Sequence, residues 1–125
     1  MSKSRITNVS VQSEYPAESS RPHESHFVFS YTITIRNLGD VPAQLVERHW
    51  IISDGEDEIR EVRGAGVVGE QPWLQPGSGF QYSSGAVLKA PVGTMHGSYR
   101  MRTADGRHFD ADIPRFVLSV PRTLH

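Results

Sequence analysis

The segment His26-Phe27-Val28-Phe29-Ser30-Tyr31-Thr32-Ile33-Thr34-Ile35-Arg36-Asn37 decides the fold. Phe27, Phe29, Tyr31, Ile33 and Ile35 alternate with Val28, Ser30, Thr32, Thr34 and Arg36. Successive side chains of an extended chain point to opposite faces, so this is a strand with one face in a core and the other largely in water. Asn37-Leu38-Gly39-Asp40 then turns the chain. Ala43 to Ser53 follows, with Leu45, Val46, Trp50, Ile51 and Ile52; it is apolar on both faces toward its end, as a central strand is.

Upstream, Val9, Val11 and Tyr15 fall at even spacing between polar residues, which predicts a strand over Ile6 to Tyr15. Pro16 to Ser25 carries two prolines and three serines and reads as an exposed, mobile loop. Downstream, Asp54-Gly55-Glu56-Asp57 is an acidic turn. Glu58 to Val62 is a short, charged strand suited to a sheet edge, since charge discourages pairing with another chain. Gly79 to Gly85 places Phe80, Tyr82 and Ser84 on one face.

The last hairpin permits a sharper inference. Met95, Tyr99 and Met101 share one face, as do Phe109, Ala111 and Ile113. A two-residue Asp105-Gly106 turn would set Arg102 opposite Phe109 and turn core residues outward. The pattern therefore predicts a three-residue loop, Ala104-Asp105-Gly106, with Gly106 left-handed, Met101 facing Phe109 and Tyr99 facing Ala111. Phe116 and Leu118 are out of phase with Ile113, which places a bulge or bend at Pro114. Seven strand-like runs without a helical period indicate an all-β chain: an immunoglobulin-like, fibronectin type III-like antiparallel β-sandwich. At 125 residues the chain is expected to be one domain over 1–125, with 1–5 and 120–125 as flexible tails.

Thirteen Lys and Arg against fourteen Asp and Glu give a net charge of -1, so no global field draws the chain to nucleic acid or an anionic membrane. The absence of cysteine excludes disulfides, thiolate metal sites and cysteine nucleophiles, and fits a reducing cytosol. Met1-Ser2-Lys3-Ser4-Arg5 lacks the apolar core of a signal peptide, and no apolar run nears the roughly 20 residues that span a bilayer. A soluble, cytoplasmic protein is expected.

Between the two groups of strands lies Arg63-Gly64-Ala65-Gly66-Val67-Val68-Gly69-Glu70-Gln71-Pro72-Trp73-Leu74-Gln75-Pro76-Gly77. Gly64, Gly66 and Gly69 spell G-x-G-x-x-G, which in a dinucleotide-binding unit opens a helix whose N-terminus holds pyrophosphate. Pro72 and Pro76 exclude that helix, because proline removes an amide donor and clashes with the preceding turn. Three readings remain. The glycines can supply dihedrals for a long inter-sheet connection. The amides can form a nest for an anion, with Arg63 or Arg60 as counter-charge. The stretch can also be a recognition surface, with Trp73 and Leu74 as anchors and Glu70 and Gln71 as polar contacts.

Other constellations are weaker. His108, Asp110 and Asp112 share a strand face, but Arg100 and Arg102 should sit across from them and form surface ion pairs in place of a metal site. No G-x-S-x-G elbow is present, and no pair of carboxylates is singled out for acid–base work. Neither a catalytic set, a metal site nor a cofactor is expected.

The assembled segments Tyr31-Thr32-Ile33-Thr34-Ile35-Arg36-Asn37-Leu38-Gly39, Arg48-His49-Trp50-Ile51-Ile52, Gly64-Ala65-Gly66-Val67-Val68-Gly69-Glu70-Gln71-Pro72, Tyr82-Ser83-Ser84-Gly85 and Gly93-Thr94-Met95-His96-Gly97-Ser98-Tyr99 resemble the ApaG (CorD) family from about Arg5 onward. Trp73 stands where a smaller aliphatic is usual, and Ser78 where an acid often follows Pro-Gly, so any role of Trp73 is particular to this chain. The resemblance implies a fibronectin type III-like sandwich and a bacterial stand-alone domain associated with cobalt resistance and magnesium efflux. It also implies a gene often near that of a diadenosine tetraphosphate hydrolase, and eukaryotic relatives in F-box and polymerase-interacting proteins. No catalytic residues come with it. The reading favoured is a non-enzymatic module, a monomer or weak dimer, that contacts an unidentified protein through Arg63, Gly64, Gly66, Gly69, Glu70, Gln71 and Trp73. The alternative is a sensor of nucleotides or polyphosphates using the same loop.

Overall fold

The alternating segment forms strand β2 (Phe27–Asn37), whose inward side chains Phe29, Tyr31, Ile33 and Ile35 are buried. A computed structural model describes residues 7–121 of the chain; the expected tail 1–5 and residues 122–125 lie outside them. The remaining strands are β1 (Thr7–Glu14), β3 (Ala43–Asp54), β4 (Glu58–Ala65), β5 (Trp73–Leu74), β6 (Gly79–Leu88), β7 (Val92–Thr103) and β8 (His108–Ser119). They make two antiparallel sheets, β1-β2-β6 and β4-β3-β7-β8, with β5 pairing β3 beyond the end of β4. This is the sandwich expected, with one strand more than the sequence pattern reveals: β5 is two residues long and carries no alternation.

The core lies between the sheets. Trp50 of β3, 3 % exposed, sits edge-on to Tyr31 (5.5 Å between centroids), Phe116 (6.0 Å) and Tyr99 (6.5 Å). Such pairs add about 0.5–1.5 kcal/mol each beyond the area they bury.

The final hairpin follows its pattern. Tyr99 faces Ala111 and Met101 faces Phe109. Gly106 has φ +89°, and Thr103 and Arg107 close the three-residue loop. The expected bulge at Pro114 is present: Met95 pairs with Phe116 but Gly97 with Ile113, so β8 holds an extra residue opposite His96. That residue restores Phe116 and Leu118 to the core side.

A second bulge has no counterpart in the sequence reading. Leu45 pairs with Met101 but Glu47 with Arg100, so Val46 is the extra residue in β3. Leu45 and Trp50 both face the core although they stand an odd five positions apart, and only an inserted residue allows that. Pro16 to Ser25, read as a mobile loop, forms two 3₁₀ turns, Ala17–Ser19 and Pro22–Glu24; Ser20 Oγ accepts from Val28 N at 2.8 Å. Val120, assigned to a tail, donates its N–H to Pro91 O at 3.0 Å and packs against the core.

Candidate functional site

The glycine stretch is several elements: Ala65, Gly66 and Gln71 are anchored to Arg48 or to the Val46 bulge, and Trp73–Leu74 pairs with Ala43 and Gln44. Arg63, Gly64 and Ala65 are the last residues of β4. On the paired strand β3, Trp50 and Ile52 are buried, so their β4 partners Val62 and Arg60 share the inward side, as does Gly64 opposite Arg48. Arg63 points the other way. Its Nη2 lies 3.0 Å from Glu61 Oε1, which also meets His49 Nε2 at 2.7 Å. These bonds, His49 first and then Arg63, hold the Glu61 carboxyl below its ordinary range.

Gly66 has φ +60°, and a Cβ there would fall 2.1 Å from Glu70 O. Val67 and Glu70 exchange both backbone hydrogen bonds, at 2.8 and 2.9 Å, across the two-residue turn Val68-Gly69. Both turn residues have positive φ, +44° and +80°, the backbone of a type I′ hairpin. Asparagine or glycine usually occupies the first of these positions. Val68 is β-branched, which makes the left-handed backbone costly, and it is 55 % exposed, while Val67 is fully buried.

The amides of Gly66, Val67 and Glu70 are spent on the carbonyls of Val46, Glu70 and Val67. Gln71 Nε2 donates to Val46 O at 2.9 Å, so its side chain anchors the loop. Trp73 is 45 % exposed and lies apart, with the Arg102 guanidinium 5.8 Å above its ring. Arg102 also donates to Gln44 Oε1 at 3.0 Å. Arg100 and Arg102 do face Asp110 and His108 in register, but among the described residues they make no ion pair with them, contrary to expectation. Among the described residues, no three His, Asp or Glu side chains gather.

A cleft of about 380 Å³ opens between the β4 and β6 edges. Tyr31, Trp50, Ile52 and Met95 form its base, Arg60 and Val62 one wall, and Ser84 to Val87 the other; Val67, Val68 and Gly69 stand at one end. Of the residues singled out from sequence, Gly69 and Arg60 line this cleft; Gly64 abuts the Arg48 guanidinium and Gly66 the Glu70 carbonyl without lining it. Arg63, Glu70, Gln71 and Trp73 do not line it.

Sequence reasoning missed the central polar group, Arg48. It is half-buried, lines the cleft, and donates Nη1 to Ala65 O and Gly66 O, both at 3.0 Å. Its available signal was an arginine on the inward side of a strand, in phase with Trp50 and Ile52. Arg60 donates to Val87 O at 2.9 Å, tying the two sheet edges together. The Tyr82 and Tyr99 hydroxyls bond to each other behind the cleft. Burial pushes Tyr82 up to about 12, opposed by the Tyr99 hydroxyl and the Arg48 charge. Burial, followed by the neighbouring Tyr82, pushes Tyr99 up as well. Tyr31 is raised by burial against the Ser84 hydroxyl and the Arg48 charge.

Three strands facing four, with a two-residue fifth strand at the edge, define a fibronectin type III-like sandwich. Residues 17–103 match the ApaG domain. The chain is 59% identical to Protein ApaG of Thiobacillus denitrificans, over 94% of this chain and 93% of that one. It is 55% identical to Protein ApaG of Azoarcus sp. over the full length of both. A crystal structure of an ApaA protein from Bordetella pertussis superimposes with a TM-score of 0.90 at 49% identity, covering 94% of this chain and 95% of that one. The chain belongs to the ApaG family.

Proposed function

We propose that this ApaG-family sandwich is a non-enzymatic interaction module that docks a protein partner through the Val67–Glu70 hairpin and the adjoining β4 and β6 edges. Val68 carries the reading: a β-branched residue held at φ +44° while 55 % exposed is strained and gains no core packing in return. Strain kept at an exposed position favours a contact surface. Val62 and Val87, 39 and 44 % exposed, line the same cleft and extend the apolar surface. A partner-mediated role accommodates the link to cobalt resistance and magnesium efflux that the family resemblance implies.

Affinity capture followed by quantitative mass spectrometry tests this, comparing the wild type with Val68→Asn and with a Gly69→Arg, Glu70→Lys double change. Loss of the same partner from both variants is expected; an unchanged partner set removes the hairpin from the interface. The alternative, polyphosphate sensing by the loop, needs free amides, and those of Gly66, Val67 and Glu70 are engaged. Calorimetry with ATP, GTP and diadenosine tetraphosphate checks it; heat from these ligands would displace the protein-docking reading.

A further inference from the structure

The cleft has a chemistry that protein docking by the hairpin does not use. Its lining includes Arg48 and Arg60 but no Asp or Glu. Nη1 of Arg48 is held by Ala65 O and Gly66 O, which fixes the guanidinium plane. Among the described residues, Nε and Nη2 meet no acceptor and no carboxylate pairs with the side chain. A half-buried guanidinium with one edge committed and the other open is a fork for two oxygens. Gly64 makes its position possible, since a Cβ there would stand 2.6 Å from Arg48 Cζ.

The rest of the cleft selects among anions. At about 380 Å³ it suits a small molecule or a single side chain. Trp50, Met95, Val62 and Ala86 offer apolar surface to the ligand body. A phosphate dianion would want several donors, and the amides of Gly66, Val67 and Glu70 are already engaged. A carboxylate needs only the open guanidinium edge. We propose that the cleft binds an organic carboxylate, its apolar body between the β4 and β6 edges against Trp50 and Val62, its two oxygens on Nε and Nη2 of Arg48. The ligand is either a free small acid or the C-terminal carboxylate of a peptide ending in an apolar residue.

Amide NMR titration of the full chain separates these outcomes. The probes are phenylacetate, neutral 2-phenylethanol, inorganic phosphate, and Gly-Gly-Phe with a free or an amidated C-terminus. Phenylacetate is expected to shift Gly66, Val68 and Ser84 and to bind at least about tenfold more tightly than 2-phenylethanol. Arg48→Met should erase that preference while leaving β1 amides unmoved. Val62→Trp, which fills the cleft and keeps Arg48, should weaken phenylacetate by about tenfold or more. Tighter binding of the free-acid peptide than of phenylacetate assigns the site to chain termini; the reverse assigns it to small acids. The proposal is overturned by equal affinity for 2-phenylethanol, by phosphate producing the same shifts, by a carboxylate preference that survives Arg48→Met, or by no localised shift at about 10 mM phenylacetate. Val62 stands in both readings, but the carboxylate preference is read at Arg48 and partner capture at Val68, Gly69 and Glu70, so either reading can fail while the other holds.

Discussion

The Arg48 guanidinium occupies the space where a side chain on Gly64 would begin: a Cβ built there would lie 2.6 Å from both Cζ and Nη2. The colliding atoms are the far end of a flexible side chain, so Gly64→Ala should fold with Arg48 displaced. The carbonyls of Ala65 and Gly66 then lose their charged donor. A loss of about 1–2 kcal/mol in urea unfolding is expected, with amide shifts confined to the Gly66–Gln71 region and to β3 beside it. Shifts spread across both sheets would mean that Gly64 serves the whole fold.

Val68→Asn should act in the opposite direction on stability. Asparagine tolerates the left-handed backbone of a type I′ turn, whereas valine is strained there at φ +44°. With a side chain more than half exposed, little packing is forfeited. Stability should rise by about 1 kcal/mol, read as a higher urea midpoint with an unchanged slope. A fall would show that the exposed isopropyl group contributes packing that outweighs the turn strain.

The sequence carries those parts of the fold whose causes are local. Alternation over Phe27 to Ile35 suffices for β2, and the parity of Met101 and Phe109 sets the loop length at Gly106. The same parity argument, applied at Ile113 and Phe116, places the Pro114 bulge. It applies equally to Leu45 and Trp50, but Val46 and Ile51 are apolar as well, so apolar residues stand at both parities and the pattern does not single out the slip. The cleft is less legible still. Arg48, Val62 and Ala86 meet there because β4 and β6 form neighbouring edges of two different sheets, which no spacing within a strand encodes. Glycine spelling pointed to the right neighbourhood for a different reason: Gly64 yields space to an arginine, and Gly66 to the Glu70 carbonyl.

Asn37 ties three turns together from inside the molecule. Fully buried, it donates Nδ2 to Val41 O at 2.8 Å and Leu74 O at 2.9 Å, and its Oδ1 accepts from Gly39 N at 2.9 Å. Asn37→Ala removes these bonds and leaves the Leu74 carbonyl without its buried amide donor. A cost of about 2–4 kcal/mol is expected by chemical denaturation, with faster hydrogen exchange around Leu45, whose N–H bonds Pro72 O beside β5. Asn37→Asp should cost at least as much, because it sets carboxylate oxygens against two carbonyls.

Tyr82 makes the fold sensitive to alkali. Its hydroxyl titrates at about 12 in the folded chain against 10.0 ordinarily, chiefly because burial penalises the phenolate. A folded-state pKa above the unfolded one means that the folded state holds the proton more tightly. The resulting stability is fully present below pH 10 and is lost as pH rises from 10 to about 12. Two units correspond to at most about 2–3 kcal/mol, with Tyr99 and Tyr31 adding to the same slope because burial raises both. Tyr82→Phe removes one of these titrations but leaves the buried Tyr99 hydroxyl without its partner. The variant should therefore be about 1–3 kcal/mol less stable at neutral pH yet lose stability less steeply between pH 10 and about 12. Urea midpoints measured across that range provide the check; a slope as steep as that of the wild type would assign the alkaline sensitivity to the other tyrosines.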